Sequence, residues 1–199
     1  MSRADPGPQT GLGRVRPTDL ERLIERLLAD SADRRLVVLL DGGSGAGKTT
    51  LARELDAELS TRLGQPVQLV SLDDAYPGWH GLAAASHWVW QTILRPHDPG
   101  HQTWDWELER PSGWVAIDPV APIIVEGCGA ITVRSAPLAS TTLWYERAAA
   151  LRHELAIARD GDGYRPWWGA WAAQEAAHWL ANQPRALADI VLREQSDDS

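Results

Sequence analysis

One stretch of the sequence combines closely spaced glycines with a lysine and a threonine, in a spacing that suits phosphate binding. Gly42 through Thr49 fits the pattern G-x-x-x-x-G-K-[ST]. The glycines allow backbone angles at which consecutive N–H groups point at a cluster of anionic oxygens. Lys48 would contact the terminal phosphates as a point charge, and the Thr49 hydroxyl would bind Mg²⁺. We therefore predict a phosphate-binding loop, formed by Gly42, Gly43, Ser44, Gly45, Ala46, Gly47, Lys48, Thr49 and Thr50.

Lys48 is the only lysine in the chain, and the other strongly basic side chains are arginines. This usage indicates that the loop needs a compact ammonium group, which the planar guanidinium of arginine does not replace. The apolar residues 36–40 predict a strand before the loop, and residues 51–59 predict a helix after it, as the motif requires. The alternative is a glycine-rich turn that binds nothing.

Acidic residues follow two further apolar runs, residues 67–72 and 122–125. Because ligands bind beyond the carboxyl ends of parallel strands, Asp73, Asp74 and Glu126 should meet near the loop. We predict that Asp73 orients or deprotonates an attacking hydroxyl, with Asp74 as a weaker candidate for contact with the acceptor. Glu126 should hold Mg²⁺ through water. The alternative for the two aspartates is a turn or a helix cap.

Several arginines follow the fourth predicted strand of the sheet, at residues 141–145. Arg152 and Arg159 share one face of a predicted helix, and Arg165 lies in the loop after it. Together they could close over nucleotide phosphates as a lid and screen the developing charge. Arg147 falls on a different face. The alternative is a solvated helix surface.

Residues 75–120 are rich in aromatic and charged side chains that could bind an acceptor. A flat ring can stack on a base or sugar, and a carboxylate can accept hydrogen bonds from hydroxyl or N–H groups. We predict acceptor contacts from Tyr76, Trp79, Trp104, Asp105 and Arg110. The alternative is that the tryptophans only cover the sheet, since the chain has eleven Trp and no Phe.

The remaining pattern predicts one α/β domain over residues 17–194, with flexible tails at 1–16 and 195–199. Residues 75–120 would form an inserted helix and a β-hairpin with its turn at 111–113, and residues 147–166 a lid. One predicted helix begins at residue 18, and further helices are predicted over residues 49–63, 82–94, 147–159 and 167–182. Predicted sheet strands cover 36–40, 67–72, 122–127, 141–145 and 188–192.

The composition of the chain limits the classes of molecule that it is expected to bind. The net charge of −8 and pI of about 5.2 disfavour binding to nucleic acid or to an anionic membrane. One cysteine and no apolar run long enough to span a bilayer predict a soluble cytoplasmic protein. Oligomeric state stays open, with a homo-oligomer among the alternatives.

The chain resembles the uridine kinase and phosphoribulokinase family of P-loop kinases. The resemblance rests on residues 42–50 and on the segments Asp73-Asp74-Ala75-Tyr76, Ile124-Val125-Glu126-Gly127, Trp104-Asp105-Trp106 and Arg152 to Asp160. It implies a three-layer P-loop NTPase fold with a five-stranded parallel sheet, ATP with Mg²⁺ as donor, and Asp73 acting on the acceptor hydroxyl. Beside Asp73, we predict a catalytic part for Lys48, from its place in the loop, and for the lid residue Arg159.

Three hypotheses for function follow. The first is a kinase acting on a small hydroxyl-bearing metabolite, with a uridine- or cytidine-like nucleoside favoured. The second is a kinase for a sugar acid, vitamin precursor or antibiotic. The third is a nucleotide-binding regulatory protein or NTPase, in which the loop switches a binding surface.

Overall fold

Five parallel strands form the centre of the computed structural model, which describes residues 17–193. In chain order, the strands are β1 (Val37–Asp41), β2 (Gln68–Ser71), β3 (Gly100–Asp105), β4 (Arg110–Ala116), β5 (Ile123–Glu126), β6 (Thr141–Glu146) and β7 (Ile190–Arg193). The sheet has the order β2–β5–β1–β6–β7, and its neighbouring strands are all parallel. The predicted tails at 1–16 and 195–199, and residue 194, lie outside the described residues.

Helices cover both faces of the sheet, which makes the three layers that were predicted. They are α1 (Pro17–Asp30), α2 (Lys48–Leu63), α3 (Leu82–Trp88), α4 (Ala149–Asp160), α5 (Trp168–Asn182) and the short α6 (Pro184–Leu187). A π-helical turn, Val89–Ile93, extends α3 and completes the helix predicted over 82–94. The predicted fold class is confirmed.

The alternation of side chains in β1 explains how one strand supports two cores. Val37 and Leu39 are buried with residues of α3 and α5 on one face. Val38 and Leu40 are buried with leucines of α1 and α2 on the other. A strand buried on both faces needs the continuous apolar run that the sequence shows, because parallel sheets are covered by helices on each side.

The hairpin β3–β4 is a separate two-stranded sheet, and its turn differs from the prediction. The turn lies at residues 106–109, whereas Pro111-Ser112-Gly113 belongs to β4, so the prediction of a turn at 111–113 is wrong. The physical reason is a local cap. The Asp105 Oδ1 atom accepts hydrogen bonds from the backbone N–H groups of Glu107 and Leu108, both at 3.0 Å.

Within residues 17–193, every helix falls short of the length and apolar character needed to cross a membrane.

Candidate active site

The carboxyl ends of β1, β2 and β5 meet at one edge of the sheet. The register pairs Glu126 with Leu40 on one side and with Ser71 on the other. Each strand then leads into a segment with a predicted role: the phosphate loop, Asp73 and the residues after Glu126. The sheet therefore brings the predicted donor-binding, catalytic and metal-binding residues to the same place, as open α/β sheets do with their ligand sites.

Close packing against α4 constrains the phosphate loop. Gly45 has a φ of +79°, and a Cβ atom there would lie 2.0 Å from the Arg152 backbone oxygen. A Cβ atom on Gly43 would lie 2.1 Å from Arg152 Nη1. Both glycines therefore permit the close approach of α4, and Gly45 also supplies a positive φ. Gly47 precedes α2, and Thr50 is exposed on that helix.

The Lys48 ammonium group is buried inside the loop. Its Nζ atom donates hydrogen bonds to the carbonyl oxygens of Gly42 at 2.9 Å and Gly43 at 3.1 Å, and lies 3.4 Å from Cys128 Sγ. Burial by itself lowers the pKa of Lys48, but negatively charged neighbours, Asp73 and Glu126 among them, reverse this and raise it. Lys48 is thus held as a cation next to the loop amides.

Glu126 is buried beside two hydroxyl groups. Its Oε1 atom accepts hydrogen bonds from Ser71 Oγ at 2.7 Å and Thr49 Oγ1 at 3.0 Å. Burial raises the pKa of Glu126, and the charge of Asp73 raises it further, while Lys48 and the two hydroxyls oppose the shift. A buried carboxylate with hydroxyl oxygens beside it fits a hard cation such as Mg²⁺, which prefers oxygen ligands.

Asp73 lies in a 3₁₀ turn, Leu72–Asp74, directly after β2. Its side chain is half-buried, and its backbone oxygen accepts a hydrogen bond from Trp106 Nε1 at 3.0 Å. Its negative charge contributes to the raised pKa of Lys48 and to the raised pKa of Glu126. Asp73 is therefore near the loop and retains open surface, whereas Asp74 is exposed.

The lid arginines differ in where they point. Arg152 is buried on α4, and its Nη1 atom donates to the Ser44 backbone oxygen at 3.0 Å. Arg159 and Arg165 are exposed, beyond Arg152 in the chain. Burial raises the pKa of Tyr164, whose hydroxyl group contacts Ser44, and the charge of Arg159 opposes this shift. Arg152 is thus a predicted lid residue in direct contact with the loop.

Aromatic rings join the predicted acceptor insertion to the segment after α4. Trp79 is half-buried and stacks on Tyr164 and Trp167, with ring centroids 5.4 and 5.6 Å apart. It also contacts Trp106 at 4.8 Å. The predicted acceptor residue Trp79 thus forms a wall with Trp106 of the same insertion and with Tyr164 and Trp167, two residues that the sequence pattern did not single out.

The other predicted acceptor residues have separate positions. Tyr76 is in the core, where its hydroxyl donates to the Cys128 backbone oxygen at 2.8 Å. Trp104 is half-buried on β3, and Asp105 caps the hairpin turn. Arg110 is exposed and lies opposite Asp105 in the backbone register of the hairpin. A contact with an acceptor stays a prediction for each of them.

Two buried carboxylates near the loop were missed in the sequence. Asp41 is fully buried at the end of β1, and its side chain accepts hydrogen bonds from the backbone N–H groups of Gly42, Gly129 and Ile131. Glu175 is 2% exposed on α5 and accepts a bond from the Ser44 N–H at 2.6 Å. An acid at the end of an apolar strand is the signal that could have identified Asp41, because buried carboxylates need partners. Glu175 follows Gln174 in its helix and has no such signal.

A cavity of about 530 Å³ adjoins the phosphate loop at Gly43. Trp144 and Trp179 contribute aromatic walls, and basic side chains stand beside them. The lining residues are Gly43, Trp144, Tyr145, Glu146, Arg147, Ala149, Arg152, Trp179, Gln183, Pro184, Arg185 and Ala186. Arg147, which was predicted to lie on the helix, instead precedes α4 and lines this space next to the loop.

No family model matches the sequence, and no curated protein is significantly similar to it. Solved structures do share the architecture. A possible uridine kinase from Bacillus stearothermophilus superposes with a TM-score of 0.61 at 21% identity, over 87% of this chain and 96% of that one. A protein assigned as a fructose transport system kinase, from Silicibacter sp. TM1040, gives 0.57 at 19% identity, over 86% and 98%.

The YGR205w protein gives a TM-score of 0.52 at 11% identity, over 87% of this chain and 90% of that one. At such identities the likeness establishes the fold alone. The resemblance predicted from the motifs is therefore confirmed for the architecture: the chain has the fold of the uridine kinase-like P-loop kinases.

Proposed function

We propose that the protein is a Mg-ATP-dependent phosphotransferase that moves the γ-phosphoryl group to a hydroxyl of a small metabolite. One observation carries this proposal: Glu126 Oε1 accepts a hydrogen bond from Thr49 of the phosphate loop at 3.0 Å and another, at 2.7 Å, from Ser71, two residues before Asp73. The candidate metal-binding acid is therefore joined to the loop on one side and, on the other, to the strand that leads into the half-buried Asp73. Phosphoryl transfer needs mainly such alignment and charge neutralisation.

On the donor side, the loop N–H groups and Lys48 would hold the β- and γ-phosphates. Arg152, already at the Ser44 carbonyl, would add a second cation. Thr49 and Glu126 would hold Mg²⁺, which when bound neutralises charge on the phosphates. The cavity beside Gly43 has the volume and aromatic walls that the nucleoside part of the donor requires.

On the acceptor side, Asp73 would accept the proton of the attacking hydroxyl. The acceptor oxygen forms a bond to the γ-phosphorus, the bond from that phosphorus to the bridging oxygen breaks, and ADP leaves with the electron pair. Positioning by a carboxylate at hydrogen-bond distance is the usual requirement for this step. Asp73 belongs to a short turn on a sheet strand, so it is held by the same frame as the loop.

A nucleoside is our favoured acceptor. The Trp79 wall offers flat apolar surface that suits a base, and one structural neighbour is described as a possible uridine kinase. Another neighbour is assigned as a fructose transport system kinase, so sugars belong among the alternatives, together with sugar acids, vitamin precursors and antibiotics.

Release of ADP across a panel of hydroxyl compounds tests the proposal. The panel holds uridine, cytidine, other nucleosides, sugars and sugar acids, each with Mg-ATP. We expect one class of compound to stimulate ADP release well above the rate with ATP alone. Unstimulated turnover that no compound changes would contradict a kinase and favour a regulatory NTPase.

Asp73→Asn tests the catalytic assignment separately. Loss of the proton acceptor should lower kcat by about 10²- to 10⁴-fold. The dissociation constant for Mg-ATP should stay within about twofold, because the loop and Lys48 are intact. Asp74→Asn, a neighbouring change of the same type at an exposed position, provides the comparison. Full turnover by Asp73→Asn would refute the role of Asp73.

A further inference from the structure

Ser44, the third residue of the phosphate loop, is bound at each of its polar groups by side chains from the α4–α5 region. Its N–H donates to Glu175 Oε1 at 2.6 Å, and its carbonyl oxygen accepts from Arg152 Nη1 at 3.0 Å. Its hydroxyl contacts the Tyr164 hydroxyl at 3.0 Å. These contacts span 131, 108 and 120 residues, so three distant segments meet at one loop residue.

Glu175 brings a buried negative charge to this point. Its second oxygen lies 3.3 Å from Arg152 Nη1, and Cys128 Sγ lies 3.3 Å from its first. The Glu175 carboxylate therefore has the Arg152 cation, the Ser44 N–H group and the Cys128 thiol as partners. It needs such partners because the Glu175 side chain is only 2% exposed. One Glu175 oxygen therefore accepts a hydrogen bond from a loop N–H group, and the other pairs with Arg152. A phosphate oxygen bound in the loop would need the same N–H group and the same arginine.

We propose that Glu175 lowers the affinity of the phosphate loop for the donor, because its carboxylate competes with a phosphate oxygen for the Ser44 amide and for Arg152. This rests on the proposed function in so far as the loop binds a nucleotide. A phosphate that enters the loop displaces the carboxylate and takes over Arg152. Glu175 thereby lowers the affinity of the loop for every phosphate-bearing ligand.

The competition has a chemical signature. Because it concerns phosphate oxygens, it acts equally on Mg-ATP and on inorganic tripolyphosphate, which has neither base nor sugar. It is also a contact effect within a buried cluster, so salt screens it less than it screens surface charges. An effect of net charge would act over a long range and would not be confined to these contacts.

Glu175→Gln is the decisive variant, since the amide keeps an acceptor oxygen and loses the charge. Isothermal titration calorimetry with Mg-ATP and with tripolyphosphate should give at least about fivefold tighter binding of both, and KM for ATP should fall with it. Glu154→Gln on the exposed face of α4 changes net charge equally and should shift either affinity less than twofold. Thermal unfolding verifies that each variant is folded.

Equal or weaker binding by folded Glu175→Gln would overturn the inference and leave the proposed function standing. Binding of Mg-ATP by neither wild type nor variant would overturn both. If Glu175→Gln fails to fold, Glu175→Asp decides: it retains the charge but withdraws it by one methylene, and should tighten tripolyphosphate binding. Unchanged binding by folded Glu175→Asp would then refute the competition.

Discussion

The proposed donor side and the proposed acceptor side of the candidate site are held in place by different interactions. On the donor side, Glu126 ends β5, and the register of β5 with β1 and β2 fixes where the segments that carry Lys48 and Asp73 begin. On the acceptor side, the hairpin β3–β4 forms its own sheet and is attached through side chains such as Trp106. We infer that the donor chemistry is fixed by the backbone, whereas the acceptor wall depends on aromatic packing that substitution can reshape.

The largest expected effect is on the donor side. Lys48→Ala should lower kcat/KM by about 10³-fold, because it removes the buried cation that neutralises the transferring phosphates. Steady-state assays with the acceptor found by the panel measure this. Arg53→Ala removes an exposed positive charge from the same helix and should change kcat/KM by less than threefold. A similar loss in both variants would show that the effect is only one of net charge.

The second largest expected effect is on stability and concerns the close packing of the donor side. Gly45→Ala should lower the free energy of unfolding by about 2–3 kcal/mol, because it combines a strained φ with a clash against the Arg152 backbone oxygen. Gly64→Ala has a positive φ of 64° and nothing within 4 Å of a new Cβ, so it should cost only about 1 kcal/mol. Urea unfolding of both variants measures the difference. Equal losses would mean that α4 does not press on the loop.

The two sides also differ in how far the sequence predicts them. The strand before the loop, the loop itself and α2 are consecutive, so local spacing specifies them and the structure agrees. Asp73 and Glu126 could be placed because strand ends are visible as the points where apolar runs stop. Local patterns fix these features, and the parallel sheet then brings them together.

The contacts at Ser44 could not be predicted, because Glu175 and Tyr164 are more than a hundred residues away in the chain. The hairpin turn was mispredicted for a related reason. Pro111-Ser112-Gly113 has the composition of a turn, but the Asp105 side chain caps the chain six residues earlier. Side-chain caps and long-range contacts depend on the tertiary structure, so they cannot be predicted from the composition of a segment.

On the acceptor side, Trp79→Leu should raise the acceptor KM by about tenfold and leave the Mg-ATP dissociation constant within twofold. The change retains apolar bulk but removes the ring that stacks on Tyr164 and Trp167. Initial-rate kinetics with each substrate varied in turn separate the two constants. Trp114→Leu, at a half-exposed position of the same insertion, is the control and should change neither. A weakened Mg-ATP affinity in Trp79→Leu would contradict the division between the two sides.

The smallest expected effect concerns Asp105, for which a turn cap and an acceptor contact predict different outcomes. Asp105→Ala should lower the free energy of unfolding by about 1 kcal/mol, since the N–H groups of Glu107 and Leu108 lose their acceptor. Asp105→Asn retains Oδ1 as an acceptor and should preserve stability. If Asp105 only caps the turn, the acceptor KM stays unchanged in Asp105→Asn. A raised KM in that stable variant would mean that the carboxylate itself binds the acceptor, and the hairpin would then carry chemistry as well as shape.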